Sequence, residues 1–217
     1  MFACREEKPV NRPAGNGDEP RKVIGNQPKT ARGEATRKAI IDAAERVIGS
    51  KGYYDASIGH ITSEAGVAQG TFYIYFKTKE EVFSELVLEM GRMLRFTLSE
   101  ATQGIEDRLE AEKAGLRAFL KFVKDHPDLY RIVQEALFVD PEAYRAYYRS
   151  FVDGYRVGLV AAQEAGQVVE EDAEILAWAL MGISRSLGER LVIFGTETPI
   201  EELVTTAYNL IANGIKP

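Results

Sequence analysis

The sequence predicts an all-α fold of about nine helices. Beyond residue 33, apolar residues recur at helical spacing along most of the chain. Several of these segments are preceded by capping residues or carry a proline in the first turn, both of which are helix-start signals. No segment shows the sustained alternation of apolar and polar residues that is typical of a strand. We therefore expect an N-terminal three-helix unit followed by a larger C-terminal helical domain.

Composition is that of an ordinary globular protein. The 217 residues are 45% hydrophobic and 28% charged, which argues against a disordered, fibrous or membrane-embedded protein. The first residues lack the apolar core of a secretory signal, so we expect a cytoplasmic protein. Cys4, His60 and His126 are the only thiol and imidazole groups, and their spacing fits no familiar metal or catalytic site. We expect neither a cofactor nor an enzyme.

Charge is divided unevenly along the chain. Residues 1–79 carry 13 Lys and Arg against 9 Asp and Glu, a net of +4, whereas residues 80–217 carry 14 against 24, a net of −10. The basic front favours a polyanion site at the N-terminal end, and random surface variation is the alternative. Residues 1–33 hold four of the eight prolines and few large apolar side chains. They predict a flexible basic arm, which either contacts phosphates or is inert.

Three helices are predicted between residues 34 and 76. The first covers 34–51 and stops at Gly52, the second is capped by Ser57 and ends at Gly66, and the third covers 69–76. Each helix has one apolar face. The first helix contributes Ile40, Ala43, Ala44, Val47 and Ile48, the second Ile58, Ile61 and Ala65, and the third Phe72 and Phe76.

The remaining helices are marked by their starts. A Thr-x-x-Glu capping box at Thr78 opens a long fourth helix. After a break near Gly104, a further apolar series ends before Pro127. Acidic residues at 170–172 suit another helix N-terminus. Two more starts carry a proline in the first turn, namely Asp140-Pro141-Glu142 and Thr198-Pro199-Ile200-Glu201, the second of which is again a capping box.

The stretch between Ser57 and Phe76 has the pattern of a helix-turn-helix. Two short helices meet at a turn that contains Gly66, where glycine permits a positive φ. The second helix would enter the major groove of DNA, because its outward hydroxyls and amide can reach phosphate oxygens and base edges. Those outward positions are Gln69, Gly70, Thr71, Tyr73, Ile74 and Tyr75.

This region resembles the tetracycline-repressor (TetR) family of bacterial transcription regulators. The likeness spans residues 34–82 and rests on Ile61-Thr-Ser-Glu-Ala-Gly-Val67, Gly70-Thr-Phe-Tyr-Ile-Tyr-Phe76 and Lys79-Glu-Glu-Val-Phe83, all in the family's order and spacing. It implies a homodimer in which residues 34–80 bind double-stranded operator DNA. A divergent domain, residues 81–217, would dimerise and hold a small-molecule effector.

Carried over position by position, the resemblance implies a set of DNA contacts. Thr71, Tyr73 and Tyr75 would contact phosphates or bases, and Lys79 would contact a phosphate at the start of the fourth helix. Flanking backbone contacts would come from Thr36, Arg37 and Ser57. For each of these residues the alternative is an ordinary solvated or capping role.

Three positions carry residues that are uncommon in the family, which indicates an operator sequence that differs from the family's usual ones. Ala68 stands where serine is common and cannot cap the recognition helix. Gln69 replaces a common lysine and could pair with adenine, and Ile74 replaces a common histidine and could pack on a thymine methyl group.

The last two long helices are candidates for a four-helix dimer interface. They combine small side chains with more apolar surface than one core-facing stripe requires. The alternative is that they form the core of the protomer. The interface candidates are Ala177, Leu180, Ser184, Leu187, Gly188, Leu191, Leu203, Ala207 and Leu210.

An aromatic-rich segment, residues 126–155, favours an effector pocket, since rings with polar tips can line an apolar cavity. Helix packing is the alternative role of these rings. A buried Arg185 would indicate an anionic effector such as an acyl carboxylate or thioester, and a solvent-facing one would not. The pocket candidates are Phe119, Tyr130, Gln134, Tyr148, Trp178 and Arg185.

These features together predict a homodimeric repressor that a small apolar or acyl-type effector releases from a palindromic operator. The long fourth helix, which joins the two domains, would be the lever. The alternative is a helical protein-interaction adaptor that keeps the helix-turn-helix shape without binding DNA.

Overall fold

The computed structural model describes residues 25–214, and within that range it contains nine α-helices and no strand. The all-α prediction is confirmed over this part of the chain. Most of the arm expected at residues 1–33 lies outside the described residues. The helices are α1 (Ala31–Lys51), α2 (Ile58–Glu64), α3 (Gln69–Tyr75), α4 (Lys79–Thr102), α5 (Arg108–Asp125), α6 (Pro127–Val139), α7 (Pro141–Glu164), α8 (Ala173–Val192) and α9 (Ile200–Gly214).

The first helix begins three residues earlier than the sequence pattern predicts. Thr30 caps it, because the Thr30 hydroxyl oxygen accepts a hydrogen bond from the Gly33 N–H at 3.1 Å. The helix ends at Gly52, whose φ of 79° is open to glycine at little cost. The early start moves part of the expected arm into the folded unit.

Helices α1 to α3 pack around the start of α4. The turn between α2 and α3 passes through Gly66, which has a φ of 66°. Phe72 and Phe76 are fully buried and belong to the same apolar core as Ile40 of α1 and Phe83 of α4. Since an isolated helix of seven residues is not stable in water, this burial holds α3 in place.

The remaining helices form the C-terminal domain. α4 runs from the N-terminal unit into this domain and packs against α5, α6 and α7, while α8 and α9 cover α5. Among residues 25–214, no helix is both long and apolar enough to cross a membrane. The same residues contain no His, Cys, Asp and Glu cluster that could hold a metal ion.

The two predicted capping boxes have different outcomes. At α4, Thr78 accepts from the Glu81 N–H at 3.2 Å, and the Glu81 carboxylate accepts from the Lys77 N–H at 2.7 Å. At α9 the prediction is wrong. The carboxylate of Glu201 instead accepts three hydrogen bonds of 2.8 to 3.0 Å from Arg117 of α5. A bidentate ion pair with a neighbouring helix has replaced the local cap.

Helix α6 joins the two domains by a second route beside α4. The Glu135 carboxylate accepts a hydrogen bond from the Tyr53 N–H at 3.0 Å. One turn from the end of α1, Gly49 lies so close to Asp128 that an added Cβ would be 2.3 Å from the aspartate Cβ. The start and middle of α6 therefore rest directly on the end of α1.

Candidate nucleic-acid interface and effector cavity

The recognition helix α3 presents a polar and aromatic face to solvent. Gln69, Gly70, Tyr73 and Ile74 are exposed, and the Tyr73 and Ile74 side chains keep 54% and 58% of their surface accessible. Thr71 is half-buried. The helical period explains the arrangement, because the buried Phe72 and Phe76 fix the opposite face.

The end of α3 is held by residues that precede α1. The Asn26 N–H donates to the Tyr75 carbonyl at 2.9 Å, and the Asn26 side-chain amide donates to the Ile74 carbonyl at 2.8 Å. Tyr75 is half-buried, and its hydroxyl lies 3.5 Å from the Cβ position at Gly33. Asn26 thus satisfies two carbonyls that α3 itself leaves unpaired. Sequence reasoning missed Asn26, since its partners lie 48 and 49 positions away.

Two of the flanking candidates make local hydrogen bonds to the backbone. The Ser57 hydroxyl oxygen accepts from the His60 N–H at 3.1 Å and so caps α2, as its position predicts. The Thr36 hydroxyl donates to the Arg32 carbonyl at 2.9 Å on the first turn of α1. Ala68 supplies no side-chain cap to α3, which agrees with its chemistry.

Arg37 lies largely inside the N-terminal unit, and its expected role as a clamp on the DNA backbone stays a prediction. Its side chain is only 12% exposed and forms an ion pair of 3.5 Å with the buried Glu85 of α4. The guanidinium carbon also lies 5.1 Å from the centre of the Phe76 ring. Arg37 therefore ties α1 to α4.

Lys79 is engaged within the protein as well. Its ammonium group donates to the carbonyls of Tyr53 and Ala56, both at 2.7 Å, and lies 4.1 Å from the centre of the Tyr53 ring. Two of its three N–H donors thus hold the loop between α1 and α2. This structural role is additional to the phosphate contact that the sequence suggested, which stays a prediction.

The comparisons with known proteins agree with this geometry. Residues 40–86 match the family described as "Bacterial regulatory proteins, tetR family". The chain is 29% identical over 194 residues to YdgC of Bacillus subtilis (strain 168), described as an uncharacterized HTH-type transcriptional regulator, and the alignment covers 86% of this chain and 96% of the relative. These matches support a TetR-family regulator with an N-terminal helix-turn-helix DNA-binding domain.

Solved structures of regulators share the fold of this chain. The fatty acid degradation regulator FadR from Bacillus halodurans superposes with a TM-score of 0.73 at 23% identity, covering 86% of this chain and 97% of that one. The regulator FadR from Bacillus subtilis, crystallised in complex with stearoyl-CoA, superposes with a TM-score of 0.74 at 21% identity, covering 82% and 99%. The overall fold class is thereby confirmed.

A cavity of about 740 Å³ lies in the C-terminal domain, with walls from α4 to α9. Five of the six pocket candidates lie in its wall, namely Phe119, Tyr130, Gln134, Tyr148 and Arg185. Trp178 does not line the cavity. It is 46% exposed and stacks on Tyr148 with the ring centres 6.1 Å apart. The apolar part of the wall includes Leu94, Leu98, Leu116, Leu180, Met181 and Ile211.

The phenols of the cavity are neutral donors near pH 7. The Tyr130 hydroxyl donates to the Arg185 carbonyl at 2.9 Å. Burial raises the pKa of Tyr148 to about 12 and raises that of Tyr130 as well. Arg185 contributes to the wall but is an exposed residue. Its side chain also interacts with the Tyr148 hydroxyl, and an anionic effector held by Arg185 stays a prediction.

Sequence reasoning missed a buried ion-pair network in the cavity wall. Glu112 of α5 is 7% exposed, pairs with Arg108 one turn earlier, and accepts a hydrogen bond from the Tyr155 hydroxyl of α7. Burial and the neighbouring carboxylate raise the pKa of Tyr155 well above its usual value. The i, i+4 spacing of Arg108 and Glu112 was the available signal, but such pairs are usually solvated.

Several dimer candidates belong to the core of the protomer, which corrects part of that prediction. Their burial leaves little surface for a partner chain, and the residues concerned are Ala177, Leu180, Gly188, Leu203 and Ala207. Ser184, Leu187 and Leu191 are half-buried, whereas Leu210 is 67% exposed. The outward face of α8 instead carries Ile175, 68% exposed, and Trp178.

Proposed function

We propose that this TetR-family regulator is a homodimeric repressor that an apolar or acyl-type effector releases from a palindromic operator. The observation that carries the proposal is the double attachment of the cavity to the DNA-binding unit. Helices α4 and α6 each line the cavity with one part and pack against α1 with another. A ligand that prefers one arrangement of these helices would change the position of α3.

DNA binding is assigned to the exposed face of α3. Tyr73 and Thr71 supply hydroxyls that suit phosphates, while Gln69 and Ile74 suit an adenine and a thymine methyl group. We assign Tyr75, Gly70, Thr36 and Ser57 to the same DNA-contacting surface, to which the third N–H of Lys79 would add a donor. Such a protein acts where its DNA is, in the cytoplasm.

The dimer is assigned to the exposed apolar surface of α8 and α9. Ile175, Trp178 and Leu210 are exposed apolar side chains of these two helices, and we assign the half-buried Ser184, Leu187 and Leu191 to the same interface. A two-fold dimer would cover this surface and hold two recognition helices about one DNA turn apart, which a palindrome requires.

An acyl-type effector is supported by the cavity and by a neighbour of the same fold. The volume of about 740 Å³ falls within the usual range for ligand pockets, about 300–1,000 Å³. The wall is largely apolar with a few polar groups. The similar Bacillus subtilis regulator FadR was crystallised with stearoyl-CoA, which makes that thioester the first probe to use.

Fluorescence anisotropy with the DNA that flanks its own gene tests the proposal. We expect tight binding whose affinity falls steeply with salt, since phosphate neutralisation releases counterions, and we expect stearoyl-CoA to release the DNA. An affinity that is flat across the salt series would indicate the protein-interaction adaptor instead. DNA that stays bound at saturating stearoyl-CoA would contradict release by acyl compounds.

A further inference from the structure

Two of the three arginines of the cavity wall, Arg95 and Arg108, differ in how their charge is balanced. Arg108 is paired with Glu112. Arg95, on the cavity-lining part of α4, has no carboxylate within 4.0 Å among residues 25–214. Arg95 is therefore a cation in a mostly apolar wall that the described part of the protein does not neutralise.

Arg95 is nevertheless held in position. Its Nη1 donates to the Ser150 hydroxyl oxygen of α7 at 2.6 Å, and the Ser150 hydroxyl in turn donates to the Tyr147 carbonyl at 2.7 Å. The guanidinium carbon lies 5.5 Å from the centre of the Phe151 ring. A guanidinium has five N–H donors, and within the described range only one of those on Arg95 has a protein acceptor. The guanidinium of Arg95 is therefore held in a fixed orientation and keeps N–H groups that can donate to a ligand.

Physical chemistry favours an anion at this point. Burial and the nearby Arg92 lower the pKa of Arg95, which reflects the cost of a cation without a counter-charge. An anion that accepts from the spare N–H groups would offset that cost, because hydrogen bonds between charged groups are roughly twice as strong as neutral ones. A neutral ligand would leave the cost in place.

We infer that Arg95, held in place by Ser150, forms the subsite for an anionic head group, a carboxylate or a phosphate, whose apolar chain lies against Leu94, Leu98 and Phe119. The inference rests on the proposed function, because it takes the cavity as the effector site. It assigns to α4 the residue that distinguishes charged from neutral effectors. Since α4 also packs against α1, the same subsite lies on a helix that reaches the DNA-binding unit.

Isothermal titration calorimetry with the full chain tests the subsite. The probes are decanoate, decyl phosphate and the neutral decyl alcohol. We expect either anion to bind about tenfold or more tightly than the alcohol. The Arg95→Gln variant should lose about that factor for the anions and bind the alcohol within about twofold of wild type. Arg95→Lys should retain part of the preference, since it keeps the charge.

The control is Arg156→Gln, which removes an exposed arginine of α7 that does not line the cavity, and it should leave all three affinities unchanged. Equal binding of anions and alcohol by wild type would overturn the inference, as would no binding of any probe. A loss for all three probes in Arg95→Gln would mean that Arg95 only supports the fold. If that variant does not fold, the comparison of probes on wild type decides alone.

Release of DNA, followed by anisotropy with the same probes, separates this inference from the proposed function. Anions that bind through Arg95 without releasing DNA would contradict the function and leave the subsite standing. Release by the alcohol as effectively as by the anions would contradict the subsite and leave the function standing. A tighter fit of decyl phosphate than of decanoate would assign the head group to phosphate, and the reverse to carboxylate.

Discussion

The Glu135 carboxylate accepts a hydrogen bond of 3.0 Å from the backbone N–H of Tyr53, and this bond attaches α6 to the loop that follows α1. The neighbouring residues Val133 and Gln134 of α6 line the cavity. One helix thus contacts the effector space and the DNA-binding unit within three positions of sequence. A shift of α6 on ligand binding would therefore reach the DNA-binding unit even if α4 does not move.

Replacing Glu135 with Ala should weaken communication between the two domains. The lost hydrogen bond should lower the free energy of unfolding by about 1–2 kcal/mol, while effector affinity measured without DNA stays near wild type. The ratio of DNA affinities with and without effector should shrink. Glu164→Ala, an exposed glutamate at the end of α7, is the control. An unchanged ratio would assign coupling to α4 alone.

The Tyr73→Ala variant should bind operator and random duplexes more weakly by the same factor. A phosphate contact positions the protein without reading sequence, and its loss should cost roughly 1 kcal/mol for both duplexes. Gel-shift titrations on the two duplexes measure this. Tyr208→Ala, on α9 in the C-terminal domain, is the control. A loss confined to the operator would reassign Tyr73 to base recognition.

Gln69→Ala should act differently, by relaxing the preference at one base pair. We expect a cost of roughly 1–3 kcal/mol on the operator and little change on random DNA. Binding to a library of single-base operator variants would identify the position. Uniform weakening across the library would show that Gln69 contacts the backbone.

Gly154→Leu should raise stability and lower effector affinity. An added Cβ at Gly154 meets no atom within 4 Å, and the residue lines the cavity from the middle of α7. Removing a mid-helix glycine should stabilise the fold by about 0.5–1 kcal/mol, whereas the leucine side chain would occupy ligand space. Gly154→Ala is the matched control and should gain stability with little loss of decanoate affinity. Equal affinity in the two variants would place the ligand elsewhere.

Leu210→Glu should dissociate the dimer. A carboxylate buried without a partner in the interface costs about 3 kcal/mol or more, roughly a hundredfold in the dimer dissociation constant. Sedimentation velocity over a range of concentrations would detect the monomer. Leu137→Glu alters another exposed leucine, on α6, and should stay dimeric. A dimer that survives Leu210→Glu would move the interface away from α9.

Local patterns predicted the exposed face of α3 well. The spacing of Phe72 and Phe76 identifies the inner side of α3, so the exposure of Tyr73 and Ile74 follows from the helical period alone. The capping role of Ser57 is equally local. Neither prediction needs information from outside the helix concerned.

The apolar helix α8 shows where the sequence is insufficient. Ala177 faces the core and Ile175 faces outward. Because α8 has apolar residues on several sides, its sequence alone does not show which side packs inside the protomer. The role of Arg95 depends on Ser150, which lies 55 positions away. Long-range partners of this kind have no periodic signature.

The attachment of Asn26 to the last turn of α3 has a consequence for handling the protein. Two hydrogen bonds from Asn26, to the carbonyls of Ile74 and Tyr75, attach α3 to the segment that precedes α1. Removing the residues before residue 30 would remove both Asn26 hydrogen bonds, and a bulky tag fused there would disturb them. Neither change alters a side chain on the exposed face of α3. A shortened protein could then lose its operator through a loosened backbone alone.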